Sequence, residues 1–211
     1  MKLWLKICGV RRPQDARAAV AAGADAIGIN FYPRSKRFAT DNQAREVVAA
    51  VPPGFAVYGV FVDTDRDKIE RTIHATGITG VQLHGSESLS ESLGWNVPVI
   101  FARRVSEPLD VGLRTLLVEE ASRYDGRVRL LLDSPAGGGS GQRFDPAVLR
   151  NAGVSDFSAC IVAGGLTPTT VGGVVESLRP YGVDTAGGVE TEPGMKDSIL
   201  TEEFIRNARI A

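Results

Sequence analysis

ACIVAGGLTPTTVGGVVESLRPYGVDTAGG, residues 159–188, decides the fold. Residues 159–163 are apolar or small, a run short enough for a strand covered on both faces. Gly164-Gly165 ends it, and a helical pattern follows over 169–178. A second strand runs through Val183-Asp184 and meets a second pair, Gly187-Gly188. The unit is strand, glycine turn, helix, strand, glycine turn. Working outward, the same alternation fills the chain. Strands are read over 3–8, 26–30, 56–62, 80–83, 97–102 and 128–132. Helices are read over 13–22, 41–51, 65–76, 87–93, 109–121 and 146–152, and a last one over 198–208. Pro13 stands near the start of the first helix, and Pro52-Pro53 stops the second. Residues 119–126 read as loop. An open doubly wound sheet rarely carries eight such units, whereas a (β/α)8 barrel requires eight. The expectation is an α/β chain forming one (β/α)8 barrel. No linker or composition shift divides it, so residues 1–211 are expected to be one catalytic domain.

Composition narrows the partners. The 211 residues carry a formal net charge of −1 and no polybasic run, so neither nucleic acid nor an anionic membrane is indicated. No stretch approaches the roughly 20 apolar residues of a membrane helix. Lys6 interrupts the apolar N-terminus too early for a signal peptide. Two cysteines, Cys8 and Cys160, make no disulfide framework, and a reduced cytosolic setting is the default. His74 and His84 sit in no metal-like cluster, so a zinc site is not expected. The oligomeric state, monomer or homodimer, is left open.

In this architecture the chemistry lies at the C-terminal ends of the strands. Those ends are Cys8, Asn30, Val62, His84, Arg103, Asp133, Gly164 and Asp184. Gly164, Gly165, Gly187 and Gly188 follow the last two strands, the usual phosphate position of the fold, where backbone N–H groups can approach an anion. The plainer reading is that they only make tight turns. Cys8 is either a small buried hydrophobe or, as thiolate, a base or nucleophile. Cys160 reads as core. Asp133 ends an apolar strand, where partial burial would suit it to donate a proton, unless it caps a loop or pairs with an arginine. Asp184 offers the same choice. Arg34, Lys36 and Arg37 form either a solvated run or a carboxylate clamp over the mouth. His84 reads as a hydrogen-bonded structural histidine or a site member. Gly137–Gly141 lacks the spacing of a nucleotide loop and reads as a loop over the mouth or a bland connection.

Taken together, seven segments resemble phosphoribosylanthranilate isomerase. They are Lys6-Ile7-Cys8-Gly9, Phe31-Tyr32-Pro33-x-Ser35-x-Arg37, Val81-Gln82-Leu83-His84-Gly85, Leu131-Leu132-Asp133, Gly138-x-Ser140-Gly141-x-x-Phe144-Asp145, Ala163-Gly164-Gly165-Leu166-x-Pro168, and the run from Val183-Asp184 through Gly188-Val189-Glu190 and Pro193-Gly194 to Lys196-Asp197. The resemblance implies an Amadori rearrangement of N-(5-phosphoribosyl)anthranilate in tryptophan synthesis, without cofactor or metal. It implies Cys8 as general base, Asp133 as general acid and Arg37 as the holder of the anthranilate carboxylate. The glycine pairs would then anchor the phosphate at one end and Arg37 the carboxylate at the other, with a lowered thiol pKa at Cys8 between them. Three positions depart from the family pattern. Ala186-Gly187 stands where two serines are usual, Phe101 where a lysine is common, and Pro146 where tryptophan is usual. Two competing readings are a related isomerase of an aminoimidazole ribonucleotide and a phosphate-binding barrel that has lost catalysis. The first generally uses an aspartate where this chain has Cys8; against the second stand intact Cys8, Asp133 and Arg37.

Overall fold

A computed structural model describes residues 2–92, 94–105, 128–133 and 157–211. Eight strands close into a parallel barrel in sequence order. They are β1 (Trp4–Ile7), β2 (Ala26–Asn30), β3 (Ala56–Phe61), β4 (Gly80–Leu83), β5 (Val99–Arg104), β6 (Val128–Asp133), β7 (Cys160–Ala163) and β8 (Gly182–Thr185). Closure is made by β1 against β8, with Lys6 opposite Asp184. The described helices are α1 (Pro13–Ala22), α2 (Asp41–Ala49), α3 (Arg66–Thr76), α4 (Val171–Leu178) and α5 (Ser198–Ile210). The helices expected over 109–121 and 146–152 and the loop Gly137–Gly141 lie outside the described residues, as do Phe144, Asp145 and Pro146. Among the described residues, no helix is long and apolar enough to cross a membrane.

Local chemistry explains the boundaries. Thr40 caps α2 by accepting from the Gln43 amide, and Gln43 reaches back to Thr40. Asp197 caps α5 by accepting from Ile199 and Leu200. α1 ends at Gly23, whose φ of 94° suits glycine. Two expectations are corrected. The helix expected over 87–93 is a single 3-10 turn, Leu89–Ser92, with the Ser88 amide and hydroxyl ahead of it both donating to the Glu91 carboxylate. β5 runs on to Arg104 because β6 continues to pair with it, Arg104 opposite Asp133. After β8, an unforeseen hairpin joins β9 (Glu190–Glu192) to β10 (Met195–Lys196) through Pro193-Gly194, with Gly194 at φ 86°.

Strand alternation sorts the core into two layers. Leu5, Ile7, Ile27, Ile29, Phe61, Leu83, Leu132, Val162 and Val183 belong to the large cluster under the helices, and so do Phe101 and Cys160. Ile100, Ala102, Leu131, Ile161 and Ala163 form the second cluster, inside the barrel, packed against Trp4, Tyr58 and Tyr181. Trp4 stacks on Tyr181 and meets Tyr58 edge-on, with ring centres 6.2 and 6.1 Å apart. A Cβ at Gly80 would lie 2.5 Å from the Tyr58 ring, so glycine there makes room for the plug. The N-terminal end of the lumen is thus aromatic and filled, and the polar residues collect at the other end.

Candidate active site

β1 carries Lys6 and, just beyond its end, Cys8 on the same side, two residues apart. Lys6 is fully buried in the lumen, and its Nζ lies 2.9 Å from Asp184 Oδ2. Asp184 is one residue inside β8 and not at its end, so it faces Lys6 across the closure of the barrel. Asp184 Oδ1 is buried and has no partner among the described residues. A Cβ on Gly28 of β2 would fall 2.8 Å from the Cys8 sulfur and 3.2 Å from Lys6 Nζ, so both groups converge over a glycine. The Cys8 amide donates to Thr185 O at 2.7 Å, which fixes the turn out of β1. Neither cysteine is in a disulfide.

The charges act on one another. Burial pushes the Cys8 thiol above its ordinary value; Lys6 pulls it back, Asp184 pushes with burial, Lys196 opposes, and burial prevails. The lowered thiol pKa expected from the resemblance is therefore not found, because loss of water outweighs the nearby cations. Burial also raises Asp184, against Lys6. For Lys6, burial acts downward, but Asp184 and Cys8 outweigh it and the ammonium is held above its ordinary value.

Asp133 ends β6 as a buried carboxylate, three strands round the ring from Cys8, and its Oδ2 lies 3.3 Å from His84 Nε2. His84 follows β4. Its Nδ1 is 2.9 Å from the Gln82 side-chain amide, and its Nε2 faces Asp133. Strand alternation sets this trio, since Gln82 and His84 share a face. Arg103, by contrast, lies on the outer face. It stacks over Phe101 at 3.7 Å and donates to the Gly85, Ala102 and Glu87 carbonyls, bracing the loop that follows His84. Phe101 is on that outer face too, so its departure from lysine does not touch the mouth.

Arg37 crosses directly above Gly9, where a Cβ would sit 2.4 Å from Arg37 Cδ. One edge of its guanidinium grips Glu190, Nε to Oε1 at 2.8 Å and Nη2 to Oε2 at 2.7 Å. The other edge, with Nη1, remains for a second carboxylate. Lys196 donates to Glu190 Oε1 at 2.6 Å and to Ala186 O at 2.9 Å. Burial would raise Glu190, but Arg37 and Lys196 hold it below the ordinary carboxylate value. Burial lowers Lys196, with Glu190 opposing. Arg34 and Lys36 are exposed and solvated.

The glycine pairs come together. Gly164 and Gly165 have φ of 104° and 67°, a left-handed turn after β7. A Cβ on Gly188 would fall 1.8 Å from Leu166 O, so the loop after β7 lies directly on the loop after β8. Thr185 Oγ1 donates to Leu166 O at 2.7 Å and ties the same two loops. Gly187–Val189 is one 3-10 turn. Gly187 neighbours Arg37, since its Cβ would lie 3.0 Å from Nη2. Arg37 therefore stands beside the second glycine pair and not at the far end of the mouth from it. Lys6, Gln82, Glu190 and Lys196 stand in the matching segments of the sequence but were given no role there. For Lys6 and Gln82 the signal was present: a polar residue in an apolar strand, two before a candidate. For Glu190 and Lys196 it required the Pro193-Gly194 hairpin.

Among the described residues, no three His, Cys, Asp or Glu side chains gather as a metal site would need. The sequence model of the family "N-(5'phosphoribosyl)anthranilate (PRA) isomerase" matches residues 5–207. The chain is 43% identical over 211 residues to N-(5'-phosphoribosyl)anthranilate isomerase of Myxococcus xanthus, covering 99% of this chain and 97% of that protein. It superposes on the crystal structure of phosphoribosyl anthranilate isomerase from Thermotoga maritima with a TM-score of 0.83 at 31% identity, covering 99% and 100% of the two chains. A phosphoribosyl anthranilate isomerase in complex with reduced 1-(o-carboxyphenylamino)-1-deoxyribulose 5-phosphate gives a TM-score of 0.81 at 31% identity, over 99% and 100%.

Proposed function

This chain belongs to the N-(5'-phosphoribosyl)anthranilate isomerase family, and we propose that it converts N-(5-phosphoribosyl)anthranilate into 1-(2-carboxyphenylamino)-1-deoxyribulose 5-phosphate in tryptophan synthesis, with residues 1–211 acting as one catalytic domain. The observation that carries the residue assignment is the pair Cys8 and Asp133, a thiol and a carboxyl facing one polar mouth three strands apart.

Asp133 enters protonated and gives its proton to the furanose ring oxygen. The bond from that oxygen to C1 breaks, the nitrogen lone pair forms the Schiff base, and the proton remains on the new sugar hydroxyl. His84 Nε2, 3.3 Å from Asp133 Oδ2, holds the carboxyl group in place. Cys8, as thiolate, takes the proton from C2. The C–H electrons form the C1–C2 double bond of the enolamine and neutralise the iminium nitrogen. Tautomerisation then returns a proton to C1 and leaves the ketone at C2. One acid and one base on different sides of the sugar suffice.

The free edge of Arg37 holds the anthranilate carboxylate, and Asp184 Oδ1 accepts a sugar hydroxyl. The backbone N–H groups of Gly164, Gly165, Gly187 and Gly188 hold the phosphate. With Ala186-Gly187 in place of serines, that grip rests on backbone alone. The test is turnover by Cys8→Ser and Asp133→Asn, each expected to be inactive with an intact fold. Near-normal rates in both sink the mechanism. Failure of the gene to restore growth without tryptophan in a strain lacking this step sinks the activity.

A further inference from the structure

Cys8 is faced by four charged groups: Lys6 from β1, Asp184 from β8, Lys196 from β10 and Arg37 from the loop after β2. Arg37 and Lys196 both direct protons to Glu190, and Lys196 spends another on Ala186 O. Lys6 is different. It is fully buried on the same face as Cys8, its one carboxylate partner among the described residues is Asp184, and its ammonium converges with the Cys8 sulfur over Gly28. Gly28 leaves the space in which sulfur and ammonium meet, since a Cβ there would strike both. The second oxygen of Asp184 is buried and unpartnered among the described residues, so this ion pair keeps an unused acceptor. Buried ion pairs are seldom kept for stability alone, since apolar replacements of similar volume often serve as well.

We propose that Lys6 is a positioning residue of the isomerisation, whose ammonium fixes the Cys8 sulfur over Gly28 and provides the positive charge against which Cys8 ionises, while Asp184 anchors the ammonium. This rests on the reading of Cys8 as the base. Lys6 is no proton relay. The proton from C2 ends on sulfur, and Lys6 keeps its own throughout. Without Lys6, the half-buried thiol would ionise against its loss of water and the Asp184 carboxylate together.

The test is the pH dependence of Cys8 alkylation by iodoacetamide, followed on the Cys8 peptide by mass spectrometry so that Cys160 does not interfere. It needs no substrate. Lys6→Met should move the alkylation midpoint up by about 1–2 pH units. The Lys6→Met/Asp184→Asn double variant, which leaves no unpaired buried charge, should also move it up, by less. Asp184→Asn alone should move it down, and Lys6→Arg should hold it nearer the parent than methionine does. At neutral pH, kcat/KM of Lys6→Met should fall by the factor by which the thiolate fraction falls, and recover as pH rises. A purely structural lysine gives neither the opposite signs nor the recovery. A midpoint that stays or rises in Asp184→Asn, or does not rise in a double variant with parental circular dichroism, overturns the proposal. Turnover by Cys8→Ser would instead overturn the reading beneath it, so the two failures are separable.

Discussion

Replacing Glu190 by glutamine removes one negative charge from between two buried cations. In the parent, its two oxygens receive Arg37 Nε and Nη2 at 2.8 and 2.7 Å, Lys196 Nζ at 2.6 Å and the Gly194 amide at 3.1 Å. A glutamine keeps one oxygen and turns an NH2 toward either Arg37 or Lys196, setting donor against donor whichever way it lies. The side chains of Lys196 and Arg37 are only 2% and 15% exposed, so water cannot substitute for the lost acceptor. Breaking a buried pair by removing one partner typically destabilises by about 3–5 kcal/mol. Lys196 is already held below its ordinary value by burial, so it can shed its proton and limit the loss. We expect about 3 kcal/mol in urea unfolding near neutral pH. The sign of the pH dependence follows from Glu190, whose folded pKa is depressed by its partners. Its contribution is fully present above the unfolded carboxylate value and disappears as pH falls through the folded one. The gap between parent and Glu190→Gln should therefore narrow on acidification. Arg37 should lose its fixed aim, raising KM about tenfold or more with a smaller change in kcat. A stability difference below about 1 kcal/mol at neutral pH, or one that does not narrow in acid, would refute the reasoning.

A Cβ on Gly188 would meet the Leu166 carbonyl oxygen at 1.8 Å, and backbone cannot rotate away. Gly188→Ala should therefore lower the unfolding free energy by about 2 kcal/mol and raise KM for the phosphorylated substrate, and an unchanged KM would count against the phosphate assignment. Gly173, inside α4 with nothing within 4 Å of its Cβ position, is the control, and Gly173→Ala should stabilise by about 0.5–1 kcal/mol in the same assay. Because burial raises Cys8, the alkaline rise of kcat/KM should extend beyond the ordinary thiol value, and a rise complete below about pH 8 contradicts that direction. Gln82→Leu removes the side-chain amide that holds the His84 ring toward Asp133; kcat should drop about tenfold with KM little changed, and equal losses in both would show a displaced mouth instead.

The barrel was legible because its evidence is local and repeated. Eight short apolar runs, each followed by a helical period, leave little choice of architecture, and all eight strands lie where alternation put them. Cys8, Asp133 and the glycines were legible by position alone, since each follows or ends a strand. What the sequence concealed was mostly partnership. Nothing near Arg37 in the chain announces Glu190, 153 residues away, because their meeting depends on a hairpin whose only sequence sign is Pro193-Gly194. Asp184 looked terminal because β8 was read as ending there. Pairing with β1 carries it on to Thr185, and Asp184 becomes the inward partner of Lys6. The Cys8 thiol was expected to be lowered because the role of base requires a thiolate. The opposing loss of water is a property of packing that no motif expresses.

The ion pair of Lys6 and Asp184 spans 178 residues and joins the first strand to the last. During synthesis Lys6 emerges 178 residues before its counter-charge. Until β8 is seated, β1 has no neighbour on that side and Lys6 lacks the carboxylate it pairs with. The same last segment brings Glu190 to Arg37. Partly assembled barrels are therefore both less stable and without a working mouth, and catalytic competence arrives together with ring closure. In refolding experiments, recovery of turnover should follow the slow, long-range step of the chain and not the earlier return of helix signal.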